Sequence, residues 1–178
     1  MRHHVGVADV GCRMRVFTTI STDLCYRHMK KSFGILLFRR SAQLEFLLVH
    51  PGGPFWKNKH DHTWSIPKGE GAGDEDPLTT AKREFEEEVG PLPAGDLIEL
   101  EPIVQKGNKK VYCWAVAGDF DPSNLKSNVF DFEWPPKSGK FISIPEVDEA
   151  RWFNYQEAAT HINERQKRLL EELIQVLG

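Results

Sequence analysis

The pattern of apolar and polar positions separates an irregular first part of the chain from a regular remainder. Beyond residue 31, apolar residues gather in short runs bounded by polar turns, which is typical of strands. The first two runs, SFGILLFRR and LEFLLVH, are separated only by residues 41–43 and predict a hairpin. We therefore expect a peripheral N-terminal extension over residues 1–31 and one domain over residues 32–178.

The stretch from Gly69 to Gly90 has the period of a helix rather than that of a strand. Asp76 is a good N-cap, Pro77 suits the first helical position, and Gly90 suits a left-handed residue past the end. At 100° per residue one narrow stripe of this helix is apolar, and we expect it to pack on a core. The stripe consists of Leu78, Ala81, Phe85 and Val89.

The second half of the chain predicts further strands and two helices. Residues 97–105 and 110–118 are apolar runs that predict strands, as does the shorter run at 149–153, and residues 64–66 predict a brief strand earlier in the chain. A helix is expected after 153, and a final helix is expected to carry a core-facing stripe. That stripe is Ile162, Leu169, Leu170, Leu173 and Leu177. Strands that come before and after one central helix in the sequence, followed by a terminal helix, predict an α/β/α sandwich around a mixed sheet.

Residues 119–140 are predicted to form a loop with many aromatic side chains. The segment holds four aromatics and three prolines, which is unusual for a free linker. We expect the segment to fold over the body of the domain. It would serve there either as a hydrophobic cover or as a wall of a base pocket.

Carboxylates are concentrated around the central helix, with eight acids and two bases between Gly69 and Gly90. Glu84, Glu87 and Glu88 share one stripe, where like charges at these spacings repel one another. Oxygen ligands favour hard cations such as Mg²⁺ or Mn²⁺, so a bound cation is expected. The alternative is an ordinary solvated acidic face.

The spacing of these residues resembles the signature of the Nudix hydrolases. Gly69, five residues, Glu75, seven residues and then REFEEEVG fill eight of the nine defined places. The ninth place is normally aliphatic and holds Pro91, although Leu92 can take the apolar role. The resemblance implies the Nudix fold for approximately residues 32–177. A weaker resemblance, in the strand runs and in WSIPKGE, is to the diadenosine tetraphosphate hydrolase branch.

The resemblance also implies roles for the charged residues. Glu87 and Glu88 would be the main metal ligands, with Glu84 a further ligand or the general base, and the carbonyl of Gly69 would complete the site. Arg83 would orient Glu87 as an ion-pair partner, because an arginine does not deprotonate.

Other acids have less defined roles in this prediction. Glu75 would be an outer acid of the site. Glu146 and Glu149 come from a different segment that could reach the same cleft, and either is an alternative candidate for the base.

Candidate substrate-binding residues surround this motif. Lys68 is placed to meet a phosphate oxygen. The turn after residue 105 offers Lys106, Lys109 and Lys110 to a phosphate chain, with Tyr112 as a candidate for stacking on a base. The alternative for the three lysines is an exposed hairpin tip.

The composition of the chain limits which partners and which cell compartment are expected. The chain has 178 residues, a net charge of −3 and a pI near 6.2, so neither nucleic-acid backbones nor anionic membranes are expected partners. Its three cysteines have no metal-binding spacing and fit reduced thiols in a cytoplasmic protein. His60 and His62 are expected to be solvated. The expected partner is a small nucleotide substrate.

Three functions remain open at this stage. The first is a Mg²⁺-dependent pyrophosphohydrolase of a dinucleoside polyphosphate. The second is a nucleotide-pool hydrolase acting on modified nucleoside triphosphates. The third is a non-catalytic nucleotide-binding module, which the presence of all three helix carboxylates disfavours.

Overall fold

A computed structural model describes residues 29–178, and the predicted extension over residues 1–31 lies almost wholly outside the described residues. The elements of the described part follow one another along the chain as eight strands and three α-helices. They are β1 (Lys30–Arg40), β2 (Leu44–Pro51), β3 (Lys68–Glu70), α1 (Pro77–Glu88), β4 (Leu97–Gln105), β5 (Lys109–Ala117), a 3₁₀ turn (Pro122–Asn124), β6 (Val129–Glu133), β7 (Phe141–Pro145), β8 (Val147–Asn154), α2 (Tyr155–His161) and α3 (Lys167–Leu177).

Residues 29–178 build a mixed six-stranded sheet with β1 near its centre. The order is β4-β5-β1-β2-β8, and β3 pairs with β1 off this path. The β1–β5 pair is parallel and the other pairs of this sheet are antiparallel. A second, two-stranded sheet consists of β6 and β7. The predicted hairpin of β1 and β2 is confirmed.

Alternation along the strands produces two hydrophobic layers, one on each face of the sheet. Ile35 and Leu37 of β1 face α1, whereas Leu36 and Phe38 face the opposite side, where α3 packs. The α1 layer includes Ala81, Phe85 and Val89, and the α3 layer includes Leu169, Leu170 and Leu173. Helices therefore cover both faces, which confirms the predicted α/β/α sandwich around a mixed sheet.

Several local predictions differ from the structure. Ile162 is buried, but it is the C-cap of α2 and not part of the final helix. Residues 64–66 make only isolated bridges, and the strand β3 begins at Lys68 instead. Lys109 and Lys110 belong to β5 rather than to a turn. The segment 119–140 contains β6, because its partner β7 supplies a ladder that local sequence does not reveal.

No helix among residues 29–178 has the length and apolar character needed to span a bilayer. Cys113 is buried in β5, as expected for a core position.

The core prediction concerns Phe85, which is fully buried between α1 and the sheet. Phe85→Ala removes most of a buried ring and leaves a cavity, so we expect the free energy of unfolding to fall by about 3–5 kcal/mol in urea titrations. Val176→Ala, at an exposed position on α3, is the control and should change it by less than about 0.5 kcal/mol. Equal losses in the two variants would show that the α1 layer is not a main source of stability.

Candidate metal and phosphate site

Helix α1 presents its carboxylates from a well-defined start and end. The side chain of Asp76 accepts a hydrogen bond from the Thr79 amide at 2.9 Å, as an N-cap does. Pro77 follows at the first helical position, and Gly90 beyond the end has a φ of +132°. The predicted bounds of this helix are therefore confirmed, and its apolar stripe points at the sheet.

Arg83 is the centre of a network of ion pairs on α1. Its guanidinium donates to both carboxylate oxygens of Glu75, at 3.2 and 3.1 Å. Its Nη1 also lies 2.9 Å from Glu84 and 3.0 Å from Glu87. These contacts raise the pKa of Arg83, with the hydrogen bond to Glu75 the largest favourable cause. Arg83 therefore fixes the side chains of two candidate metal ligands.

Gly69 of β3 lies directly against the carboxylate of Glu84. A Cβ atom at position 69 would overlap the Glu84 carboxylate, so only glycine allows this approach. The adjacent amide of Lys68 donates to Glu88 at 2.8 Å. The backbone of β3 and two acids of α1 therefore meet at one place, as the sequence predicted.

The acids in this region carry negative charge that is not fully compensated. Burial raises the pKa of Glu88 to about 7, against the attraction of Lys68, and burial also raises the pKa of Glu84. The pKa of Glu146 is raised by burial and by the charge of Glu87. A bound cation would therefore stabilise the ionised forms of Glu84, Glu88 and Glu146.

The donor set fits a divalent cation, although the side chains are not already arranged around one point. Within residues 29–178, no three His, Cys, Asp or Glu side chains converge as a ready metal cluster. Arg83 bridges Glu84 and Glu87, whereas Glu88 is held by the Lys68 amide. The ligands are all oxygen atoms, which suits Mg²⁺ or Mn²⁺.

The two alternative bases lie in different environments. Glu146 is coupled electrostatically to Glu84, Glu87 and Glu88. Glu149 pairs with His50 across β2 and β8, on the sheet face that carries the α3 layer. The structure therefore brings Glu146 to the acids of α1 and places Glu149 on the opposite face of the sheet.

Lys68 and Lys109 lie at the edge of the acid group. Burial of the Lys68 ammonium lowers its pKa, which the charges of Glu88 and Glu84 partly oppose. Lys109 lies 3.4 Å from Glu70, and both groups act on Lys68. The amino groups of Lys68 and Lys109 therefore lie beside the carboxylates.

Tyr112 and Lys110 form a second contact group on the α1 side of the sheet. The Tyr112 ring stacks on Phe33 with centroids 5.2 Å apart and an interplanar angle of 21°. Nζ of Lys110 lies 4.9 Å from the centre of the Tyr112 ring. An aromatic face and a cation are thus combined next to the acids.

Lys106 is separated from the other two lysines of the predicted group. It lines a hollow of about 330 Å³ together with His62 and the turn between α2 and α3, including Asn163 and Arg165. The β-hairpin of β4 and β5 is thus not a single lysine-rich tip. The side chains of His60 and His62 are exposed, as expected.

Sequence reasoning missed two contributors to this site. Thr80 is buried and its hydroxyl donates to Glu75 at 3.0 Å, which fixes the acid that holds Arg83. Phe33 supports Tyr112 because β1 and β5 pair in parallel with these two residues in register. The only sequence signal for Thr80 was a polar residue beside the apolar stripe. The pairing of two distant strands left no local signal for Phe33.

The fold and this geometry agree with comparisons to known proteins. A family model for the NUDIX domain matches residues 28–173. Caenorhabditis elegans Ap4A hydrolase, in a binary complex, has a TM-score of 0.56 at 20% identity, covering 82% of this chain and 97% of that chain. The NUDIX domain of Shewanella oneidensis NrtR, complexed with ADP ribose, has a TM-score of 0.60 at 16% identity, covering 84% and 89%. No curated protein matches this chain.

A third solved structure, a NUDIX hydrolase from Listeria monocytogenes, has a TM-score of 0.58 at 20% identity and covers 82% of this chain and 92% of that chain. At such identities the likeness of the structures shows a shared fold. The family model extends over most of the chain and includes Gly69, Arg83 and the acids of α1. The chain therefore belongs to the NUDIX family.

Proposed function

We propose that this protein cleaves a phosphoanhydride bond in a nucleoside diphosphate linked to a second group, and that this substrate is a dinucleoside polyphosphate. The observation that carries the proposal is the group of coupled carboxylates Glu84, Glu87, Glu88 and Glu146. These acids adjoin the backbone of Gly69 on β3. Burial raises the pKa values of Glu84, Glu88 and Glu146, which indicates a place where a bound cation would favour the ionised carboxylates.

We propose Mg²⁺ or Mn²⁺ as the cofactor, held by Glu84, Glu87 and Glu88 with the Gly69 carbonyl as a further ligand. When bound, such a cation supplies positive charge that shields phosphate oxygens and acidifies water. The chain contributes the positioning of its own ligands. Glu75 and Thr80 hold Arg83, and Arg83 in turn fixes Glu84 and Glu87.

A general base must accept the proton of the attacking water. Glu84 and Glu146 both have pKa values raised by burial, which brings a carboxylate closer to the range useful for accepting a proton. Glu84 is our first choice, because it lies against Gly69 in the centre of the acid group. Glu149 lies on the other face of the sheet and is the weakest candidate.

The surroundings of the acids support a phosphate chain that ends in an aromatic group. Lys68 and Lys109 offer charge near the carboxylates, and Lys110 and Tyr112 offer a cation with an aromatic face. A base stacked on Tyr112 would place its phosphates along these lysines. We retain Lys106 as a proposed substrate contact, with its role to be tested separately.

Two other functions remain as outcomes of experiment. A nucleotide-pool hydrolase would prefer modified nucleoside triphosphates, and a non-catalytic binding module would show no turnover. A panel of dinucleoside polyphosphates, nucleoside triphosphates, nucleotide sugars and ADP-ribose, assayed with Mg²⁺ and Mn²⁺ and resolved by chromatography, distinguishes the three functions.

The buried Cys113 thiol fits the proposal of a reducing, cytoplasmic location.

The first prediction tests the metal ligands. Glu87→Gln and Glu88→Gln keep the shape of the side chain but remove its charge, so each should lower kcat by roughly 100-fold or more. Glu86→Gln is the matched control, since Glu86 is exposed and directly precedes these two residues in the sequence. It should retain activity within about twofold, near the small effects usual for exposed positions. Near-normal turnover of either ligand variant at saturating Mg²⁺ would remove that residue from the proposed site.

The second prediction separates the lysines. Lys110→Ala removes a cation beside Tyr112, and it should raise KM for diadenosine tetraphosphate by roughly two- to fivefold with kcat little changed. The effect should shrink as salt is added. Lys106→Ala should have a smaller effect, because Lys106 lies in the hollow beside Arg165. A larger effect of Lys106→Ala would show that the phosphate chain runs towards that hollow.

The third prediction follows from the pKa of Glu88, raised to about 7 in the folded protein. The folded state then binds more protons than the unfolded state between about pH 4.5 and 7, so the stability from this group is present at low pH. It is lost as the pH rises through 7. In EDTA, wild-type protein should lose on the order of 2 kcal/mol across this window.

The variant Glu88→Gln should lack that part of the pH dependence and should be at least as stable as wild type at pH 8. Denaturant titrations at half-unit pH steps measure both profiles. Parallel profiles for wild type and variant would contradict the assigned burial of Glu88.

A further inference from the structure

A group of exposed aromatic residues lies outside the chemistry described so far. The hairpin of β6 and β7 carries Phe130, Phe132 and Trp134 along one edge, and the loop of residues 52–60 carries Phe55 and Trp56. Phe55 makes edge-to-face contacts with Phe132 and Trp134, at centroid distances of 5.9 and 5.0 Å. Phe130 makes a similar contact with Phe132 at 6.2 Å. We call these five residues the aromatic platform.

Much of the aromatic platform is open to solvent. Phe55, Trp56 and Phe130 expose 47%, 40% and 43% of their surfaces. Large rings grouped in this way on a surface usually mark a binding site. The rings of Phe130 and Phe132 share one face of the hairpin, because they alternate along β6.

The loop that carries part of the aromatic platform is fixed in place. Gly52 approaches the end of β7 so closely that a Cβ atom would overlap the Pro145 carbonyl oxygen. The buried His50 contacts Asp148 through Nδ1 and the Lys59 carbonyl through Nε2, each at 2.7 Å. Phe55 and Trp56 are therefore held on a short loop that is anchored at both ends.

The aromatic platform is joined directly to the acid group. The amide of Asn128, the residue before β6, donates to the Glu87 carbonyl at 3.0 Å. The amide of Glu146 donates to the Asn128 carbonyl at 2.9 Å, and the amide of Gly52 donates to the Glu146 carbonyl at 2.9 Å. Both ends of the hairpin and the start of the loop thus meet at Glu87 and Glu146.

The aromatic platform and Tyr112 lie towards opposite sides of the acids. Tyr112 is on β5, on one side of the central strand β1, and β7 runs into β8 beyond β2 on the other side. Helix α1, with the carboxylates, packs on β1 and β3 between them. In the order of the strands, the acids of α1 therefore lie between Tyr112 and the base of the β6–β7 hairpin.

Two lysines lie next to the aromatic rings of the loop. Nζ of Lys59 lies 5.2 Å from the centre of the Trp56 ring, and Lys57 is exposed beside it. Aromatic faces next to lysines suit a planar group attached to phosphate.

We propose that the aromatic platform binds the second nucleobase of a two-ended substrate whose first base stacks on Tyr112. This inference rests on the proposed function, because it requires a phosphate chain across the acid group. Phe130 and Trp56 are the substrate-binding residues of the platform, and Phe55 and Phe132 support them. The substrate class is then a pair of nucleosides joined by a polyphosphate rather than a nucleotide joined to a sugar.

The test compares two substrates that differ only in the second nucleoside, diadenosine tetraphosphate and adenosine 5′-tetraphosphate. Phe130→Ala and Trp56→Ala should each raise KM for the first substrate by about 5- to 100-fold, the range expected for loss of one stacked base. KM for the second substrate and kcat for both should stay within about twofold. Trp56→Phe keeps a ring and should recover most of the loss.

Phe141→Ala is the matched control. Phe141 is 66% exposed on the same hairpin and pairs with Glu133, on the face away from Phe130. This variant should change neither KM. Unchanged or equally raised KM values for the two substrates in Phe130→Ala would overturn the proposal. So would a shift from dimer to monomer in gel filtration with unaltered kinetics, since it would show that another copy of the chain covers these rings.

Failure of the proposed function gives a different result. If wild-type protein hydrolyses neither substrate, the proposed function falls, and tryptophan fluorescence titrations with diadenosine tetraphosphate then test the platform alone. Weaker binding by Phe130→Ala than by Phe141→Ala supports a base site. Equal binding by the two variants overturns it.

Discussion

Repulsion among the carboxylates of α1 is the constraint on which the candidate site depends. Glu84, Glu87 and Glu88 occupy one side of a short helix, and their mutual repulsion would weaken that helix in isolation. The fold compensates through Arg83, which touches two of the acids, and through the Lys68 amide, which holds the third. Burial nevertheless raises the pKa values of Glu84 and Glu88, and neighbouring acids add to the shift, so a bound cation would stabilise the ionised carboxylates.

The sheet makes this arrangement rigid. The central strand β1 contacts β2, β3 and β5, so it connects the Gly69 backbone, the acids above it and the Tyr112 face. The buried side of α1 fixes the helix on the sheet through Phe85. A residue such as Phe85 thus affects the site without touching it, because the position of each carboxylate depends on the position of the helix.

The hairpin of β6 and β7 is attached to the body of the domain beside the acids. It leaves the body of the domain at Asn128 and returns at Glu146, and both residues connect by hydrogen bonds to the end of α1 or to its neighbours. A substitution of the aromatic rings should therefore change substrate binding without changing the carboxylates that are proposed to carry the hydrolysis. Rings far along the hairpin influence binding, whereas its base adjoins the acids.

The sequence by itself determined the strongly local features. Asp76, Pro77 and Gly90 defined the central helix, and the spacing of Gly69, Glu75 and Arg83 defined the acid site, because caps and helical periods act over a few residues. The apolar runs of β1 and β2, separated by a short polar turn, likewise predicted their hairpin.

Only the tertiary structure decided which distant segments meet. It paired β6 with β7, placed Phe33 beneath Tyr112, separated Lys106 from Lys110 and put Glu149 on the opposite face from Glu146. Each of these outcomes depends on which strands pair, or on which face of the sheet a residue occupies. Long-range packing sets both, and local sequence does not encode them.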